Sequence, residues 1–501
     1  MAIASESSRS STVNVPSAWD VAAPEPRDAE TILARFAVRE AASPHAVASG
    51  GEPDGVNGLL SAFASGAADP VATLEDLCDR VSRSAAGASA VLRLLPGAEA
   101  AARESAARWR AGRARALEGL PFGVKDIIDV EGAMVTCGSL LTGDRVAPAD
   151  AAVVAKLRDA GAIPLAMLAT TEFACGSPHN PRYGAVPNPY DPTRWTGGSS
   201  TGSGAALAAR LLPFALGTDT GGSIRVPSAW CGVTGLKPTR ELVSRAGVAA
   251  LSWTLDHVGP MARSAEDLAT VLPWMADGRF RRVEIDGLSG LRIGVPTHWF
   301  QEACDAAVLA AWRAALALME ARGARLVDVD VGDVAQAHAD GWTVLLSELA
   351  AMQDPAFDRH DLFDPGAQRR ILQGRAISAH VYLSALRRRP MAISRWIAAL
   401  ADVDVLVTPG VGGEAGFLDT LEVAVNGARL PFQDVIPRNT MIFDYTGLPA
   451  LMLPSGVGET GLPVAIQIVG KPYADGLCLA VGAAFQRLTD HHRMRPGGGA
   501  R

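Results

Sequence analysis

Lysine is scarce in this chain. Of its 46 lysines and arginines only four are lysine, at positions 125, 156, 237 and 471. Arginine stays charged in a protein, whereas a buried lysine can lose its proton. A chain this biased toward arginine therefore retains lysine where arginine cannot substitute. Lys125 stands among Pro121, Phe122, Val124 and Ile127. That setting fits a neutral base, and equally a surface lysine that buries its stem and keeps its head in water. Close cysteine pairs are also missing: the six cysteines (78, 137, 175, 231, 304, 478) are scattered, which suits reduced thiols in a cytoplasmic protein rather than a disulfide framework. The nine histidines form no HExxH pattern, so neither a structural zinc nor a metalloprotease site is expected, and no metal or other cofactor. The adjacent His491 and His492 read as part of a frayed tail. No apolar run of about 18 residues occurs, which excludes a transmembrane helix, and the first twenty residues lack the cationic start and apolar core of a secretory signal. A net charge of −7 gives no attraction to nucleic acid or an anionic membrane.

What is present is a long chain, 501 residues with 48% hydrophobic residues, enough for a large core. Residues 1 to 55 read as an appendage, its first twenty or so disordered and a short helix at Thr31–Ala42. Val56–Arg83 reads as two helices broken near Asp69–Pro70, and Ala98–Leu117 as an Ala/Arg helix that hands over at Gly119 to a strand beginning at Pro121. Helix-then-strand units follow at 150–168 and 308–331, and Ser264 with Asp267 reads as a helix cap. Further strands are expected at Phe214–Thr218, Leu291–Val295, Val403–Thr408, Ala450–Pro454 and Val464–Val469. This alternation indicates a layered α/β fold, with one large domain from 56 to 490 and a flexible tail at 491–501. The stretch from about 333 to 445 is the least regular and reads as helices and loops that carry specificity. Its Arg387–Arg389 run reads as a solvated helix end.

The segment GGSSTGSG, from Gly197 to Gly204, is not a phosphate cradle, because no lysine closes it. It is not a hydrolase elbow either, because neither Ser199 nor Ser223 sits in GxSxG. By itself it reads as a glycine turn capping a helix. The second turn, GTDTGGSIR from Gly217 to Arg225, is more telling. Gly221 and Gly222 permit a sharp bend that exposes Ser223 and lets backbone N–H groups converge as an oxyanion hole. One missing donor in such a hole costs about 3–4 kcal/mol of barrier. No histidine lies near in sequence to serve as base, which leaves lysine.

GGSS, GTDTGGSIR and CGVTGLKPT, preceded by PFGVKD, resemble the amidase signature family of C–N hydrolases. TCGS at 136–139, TEFACG at 171–176, LDHVGPMARSAEDLA at 255–269, TGLPA at 446–450 and GLPVAIQIVG at 461–470 extend the resemblance over roughly 56–490. The resemblance implies a single large α/β/α sandwich with a mixed central sheet. It implies Ser223 as nucleophile, Ser199 as bridging serine behind a cis peptide from Gly198, and Lys125 as base. It further implies backbone N–H groups of Thr220, Gly221, Gly222 and Ser223 as oxyanion donors, with Asp219 and Arg225 bracing the turn.

Three positions depart from the family pattern: Thr201 for glycine, Ala169 for asparagine, and Asp444 for a frequent asparagine before TGLPA. The family's tRNA-amidotransferase A subunits usually carry glutamine where Val226 stands and generally lack an appendage like 1–55. Both features favour a free-standing hydrolase of an amide-type bond (amide, carbamate or aryl ester) in a small neutral aromatic or apolar substrate. The alternative is a glutamine-dependent amidotransferase subunit with partner chains. A nucleotide-binding module is disfavoured by the missing P-loop lysine. Phe173, Trp342 and Ile442 are expected at the substrate pocket, with Phe417 and Phe432 as further apolar candidates, although each of these side chains also suits the core. No basic cluster in the sequence awaits a carboxylate. A homodimer is the further expectation for partners.

Overall fold

Apolar strand segments spread over nearly 400 positions come together in one mixed sheet. The structure, a computed structural model, describes residues 33–39 and 52–497. In chain order the strands are β1 (Val91–Leu94), β2 (Pro121–Lys125), β3 (Ile163–Leu168), β4 (Phe214–Asp219), β5 (Thr234–Lys237), β6 (His257–Ala262), β7 (Arg292–Pro296), β8 (Arg325–Val329), β9 (Val405–Pro409), β10 (Ala450–Val457) and β11 (Pro463–Val469). Their order across the 11-stranded sheet is β8-β7-β9-β11-β10-β5-β6-β4-β2-β3-β1. β2 runs parallel to β3 and β4, and β7 parallel to β8 and β9. The strands between these parallel groups pair antiparallel.

Both predicted helix-then-strand units are crossovers that make the parallel pairs possible. The helix Ala152–Asp159 leads into β3, and the helix Ala306–Ala321 leads into β8. The second opens on Asp305, whose carboxylate accepts the Ala307 N–H, and buries Val308, Trp312, Leu316 and Met319. β3, β4, β6 and β11 are buried along their whole length. That is why β3 and most of β4 and β11 read as apolar runs rather than alternating ones. In β4, Phe214 and Leu216 enter one hydrophobic cluster and Ala215 another, as side chains alternating across a sheet must. Helices cover this mixed sheet as an α/β sandwich, the expected architecture.

The break at Asp69–Pro70 separates the helices Val56–Ser65 and Pro70–Arg83, with Asp69 capping the second. Ser264 accepts the Asp267 N–H at 3.1 Å and opens the helix Ala265–Val271.

Other expectations need correction. Of the proposed helix at Thr31–Ala42, only 33–39 are described, and there Ala37–Arg39 is extended and pairs antiparallel with Arg282–Glu284. The remainder of that helix, and the expected disorder of the first twenty residues, lie outside the described residues. Glu52 and Asp54, on the appendage side of the expected boundary, pair with Arg210 at 2.7 and 2.8 Å. His491–Arg493 forms a short 3-10 turn with His492 buried, so this part of the tail is packed rather than frayed.

The 333–400 region is almost wholly helical: Pro365–Arg375 and Ala379–Ala399 both pack on Val334–Gln353. Arg389 is no solvated helix end. It is fully buried, and its guanidinium donates to the carbonyls of Thr254, Asp444 and Tyr445. A planar five-donor group can satisfy several carbonyls at once, and this one pins the helical layer to the loop before β6 and to the helix Met441–Thr446 before β10. Arg388 pairs with Asp340 at 2.6 Å.

Candidate active site

Lys125 is the last residue of β2, and Thr218 and Asp219 close β4. The strands are parallel, with Val124 opposite Leu216, so both carboxyl ends open on the same edge of the sheet, where ligands gather in open α/β folds. Lys125 is completely buried. Its Nζ lies 2.6 Å from Ser199 Oγ and 2.8 Å from Thr218 Oγ1, with no carboxylate among these partners. Burial therefore wins: it lowers the lysine from its ordinary 10.5 to about 7, against the weaker pull of Asp219 and Asp256. The reading as a surface lysine fails on this burial.

Ser199 is buried, and its peptide bond to Gly198 is cis. The neighbouring Ser200 has a different task. Its Oγ lies 3.3 Å from both the N–H and the carbonyl of Thr218, and its N–H donates to the Ser223 carbonyl at 3.2 Å. One serine thus meets the lysine while the next ties the two glycine turns together.

The second turn is shaped by the Asp219 carboxylate, which accepts the N–H groups of Gly222 at 2.6 Å and Ile224 at 3.0 Å. It also meets the Arg225 side chain through Nε at 3.0 Å and Nη2 at 2.9 Å. Burial opposes the charge, but the Arg225 guanidinium holds the Asp219 carboxyl well below the usual carboxylate range. Arg225 in turn reaches Asp444 at 2.6 Å, and the Thr440 carbonyl and Gln467 Oε1 at 2.9 Å. Burial and the nearby Asp219 charge push Asp444 far up. Gly222 has φ +128°, and a Cβ there would meet Thr440 Oγ1 at 2.5 Å. Only glycine fits this bend.

This geometry corrects one oxyanion assignment. The Gly222 N–H is taken by Asp219. Among the described residues, the N–H groups of Thr220, Gly221 and Ser223 have no hydrogen-bond partner, while the Thr220 hydroxyl donates to Asp256.

Ser199, Thr220, Gly221, Gly222 and Ser223 line one cavity of about 480 Å³. Opposite this polar floor stand Trp342, Leu345, Phe432 and Ile436. Of the residues expected at the pocket, Trp342 lines this cavity and Phe173 and Ile442 do not. Phe173 packs on Phe363, ring centroids 6.0 Å apart, and Ile442 is wholly buried in the helix Met441–Thr446. Phe417 is stacked against Arg194 and Arg429 instead. The cavity wall also holds Arg369 and Arg370, from the helix Pro365–Arg375, and Glu422, from a short hairpin. Sequence reasoning missed the two arginines. Their doublet closes the charged stretch DRHDLFDPGAQRR, and nothing in the local pattern tells an arginine that faces a cavity from one that faces water.

Chemically, the arrangement offers a buried amine able to be neutral near pH 7, a hydroxyl against it, a second hydroxyl on the cavity floor, and unpartnered N–H groups beside that hydroxyl. These are the parts of acyl transfer through a serine ester. A second lysine makes an instructive contrast. Lys237 is equally buried and is lowered by burial to about 7, yet its Nζ donates only to the adjacent Pro238 carbonyl, at 3.0 Å.

The model of the Amidase family matches residues 72–479. The A subunit of the glutamyl-tRNA(Gln) amidotransferase of Dechloromonas aromatica (strain RCB) is 38% identical over 439 residues, covering 79% of this chain and 89% of that relative. Among solved structures, a component of a vestigial protein complex bearing on the origins of an s-triazine catabolic enzyme superposes with a TM-score of 0.81 at 32% identity, over 87% of this chain and 98% of its own. The peptide amidase from Stenotrophomonas maltophilia gives 0.76 at 28%, over 89% and 98%.

Proposed function

The chain belongs to the amidase family, and is thereby an enzyme of amide C–N bonds; from that premise we propose that it hydrolyses the terminal carboxamide of a small substrate bearing a carboxylate, releasing ammonia. The observation that carries the substrate class is the pair Arg369 and Arg370 on the wall of the cavity whose floor holds Ser223. Guanidinium groups bind carboxylates in a fixed fork, and Glu422 on another element suits an ammonium on the same substrate. An amino acid whose side chain ends in a carboxamide matches both. This reading also fits the similarity to amidotransferase A subunits, and in that setting the ammonia passes to partner chains rather than to solvent. It replaces the expectation of a neutral aromatic substrate as the first reading.

In the proposed mechanism neutral Lys125 accepts the Ser199 proton as Ser199 takes the proton of Ser223, whose Oγ attacks the carboxamide carbon. The developing oxyanion is met by N–H groups of Gly221 and Ser223, with Thr220 adjacent. The proton returns through Ser199 to the departing nitrogen, ammonia leaves, and an acyl-serine remains. Water then attacks that ester along the same relay, giving the acid and restoring Ser223. Asp219 and Arg225 hold the turn and touch no reacting atom.

A second reading, a free-standing hydrolase of aryl amides, is favoured by Val226 and by the apolar wall of Trp342, Leu345 and Phe432. The deciding experiment measures ammonia release by the purified chain from a carboxylate-bearing carboxamide, beside amine release from a neutral aryl amide. Turnover of the former, abolished in Ser223→Ala, supports the proposal. Turnover of the aryl amide alone, unaffected by Arg370→Ala, would overturn it in favour of the second reading.

A further inference from the structure

The two arginines ride on a helix whose start is fastened to the loop leading away from the catalytic floor. Glu172 is fully buried in the loop that follows β3, and its carboxylate has two partners from distant segments. Ser139 Oγ donates to Oε1 at 2.6 Å, and the backbone N–H of Asp364 donates to Oε2 at 2.6 Å. Asp364 is the cap of the helix Pro365–Arg375. Its own carboxylate accepts the N–H and Oγ–H of Ser177 at 2.7 and 2.6 Å, returning to the same loop. Arg370 closes the circuit by donating to the Cys175 carbonyl. The loop's other end meets the floor, where the Thr171 N–H donates to the Ser199 carbonyl at 3.4 Å. Phe173, Ala174 and Cys137 all hold positive φ here, so non-glycine residues take the left-handed region at the point where the chain turns under Glu172.

We infer that Glu172 and Asp364 form a clasp that positions Arg370 and Arg369 over the nucleophile, making them positioning residues for substrate binding rather than for the chemical step. This rests on the reading above that the arginines take the substrate's carboxylate. The ordering is physical: the carboxamide carbon must be held against the nucleophile to within a fraction of an ångström, and a helix held at one buried end supplies that reference. Severing the clasp frees the helix start without touching Lys125, Ser199 or Ser223.

The test is steady-state kinetics of the full chain on a carboxylate-bearing carboxamide and on its neutral methyl ester. In Glu172→Ala the KM for the charged substrate is expected to rise about tenfold with kcat changed less than about threefold, the pattern of lost binding that is common to ground and transition states. The KM for the neutral substrate stays within about twofold. Glu172→Gln, whose amide oxygen can still accept the Asp364 N–H, recovers most of the loss. In an Arg370→Ala background Glu172→Ala adds little, because the two act in series. Equal losses on both substrates, a loss in kcat alone, or full additivity with Arg370→Ala would overturn the clasp. If Arg370→Ala discriminates between the substrates and Glu172→Ala does not, the clasp alone is wrong. If neither discriminates, the reading of the arginines falls with it. Should Glu172→Ala fail to fold, Ser139→Ala removes one of the two hydrogen bonds and is expected to shift KM the same way by a smaller factor.

Discussion

Lys125 and Lys237 are both completely buried, and burial lowers both to about 7. Their partners differ. Lys125 contacts the hydroxyls of Ser199 and Thr218 at the open carboxyl end of β2, while Lys237 contacts a neighbouring carbonyl at the end of β5, beside the Asp444–Arg225 cluster. A perturbed pKa marks a candidate, but the atom at the other end of the hydrogen bond decides whether the amine is a base or a structural donor. A hydroxyl can give the lysine a proton; a carbonyl cannot.

The widest separation between the two is expected in turnover. Lys125→Met should lower kcat/KM by about 10³-fold or more, and Lys125→Arg should fold and be nearly as inactive, since arginine holds its proton. Lys237→Met, outside the reacting groups, should stay within about tenfold of the parent. Comparable losses in both would erase the distinction. The pH profile sharpens it further. The proposed relay needs Lys125 neutral, so kcat/KM is expected to rise with pH through about 7 and to keep that limb in Lys237→Met.

Stability should treat the two alike. Each lysine is neutral in the folded protein above about 7 but protonated in the unfolded chain up to its ordinary 10.5. Between these values the unfolded state holds more protons, so stability rises with pH, and below about 7 the burial penalty is complete. A displacement of this size corresponds to roughly 5 kcal/mol as an upper figure. Urea melts at pH 7 should therefore find Lys125→Met and Lys237→Met no less stable than the parent, with any gain shrinking toward pH 10. The smallest effect is expected from Asp444→Asn, because burial and the Asp219 charge push the Asp444 carboxyl far up, toward the neutral acid that an amide resembles. Activity within about threefold and stability within about 1 kcal/mol are expected, whereas Asp219→Asn, at the charged partner, should be far more damaging in both assays.

Much of the sheet was legible because strands such as Ile163–Leu168 and Phe214–Asp219 are buried along their whole length and stand out as apolar segments between helix caps, whereas Val91–Leu94, Thr234–Lys237 and His257–Ala262 carry no such signal in the sequence. The three catalytic candidates were legible through their motifs, and the structure separates Ser199 from Ser200 by partner. Less legible were features set by distance in space. Arg389 looks solvated in sequence because its carbonyl partners lie some 55 or 135 residues away. Gly222 looked like an oxyanion donor because the turn signature does not reveal that the Asp219 side chain folds back onto its N–H. Phe173 and Ile442 were placed at the pocket by type, and the packing turned both inward.

Arg225 has a consequence in time as well as space. It brings together the Thr440 carbonyl, Asp444 and Gln467, which follow it by 215, 219 and 242 residues. A nascent chain carries Lys125, Ser199 and Ser223 long before it carries these partners, and contacts of such long range form late. The turn proposed to carry the nucleophile is therefore fully braced only when β11 adds to the sheet, so a ribosome-held chain that stops short of it is expected to leave a serine-directed probe unreacted.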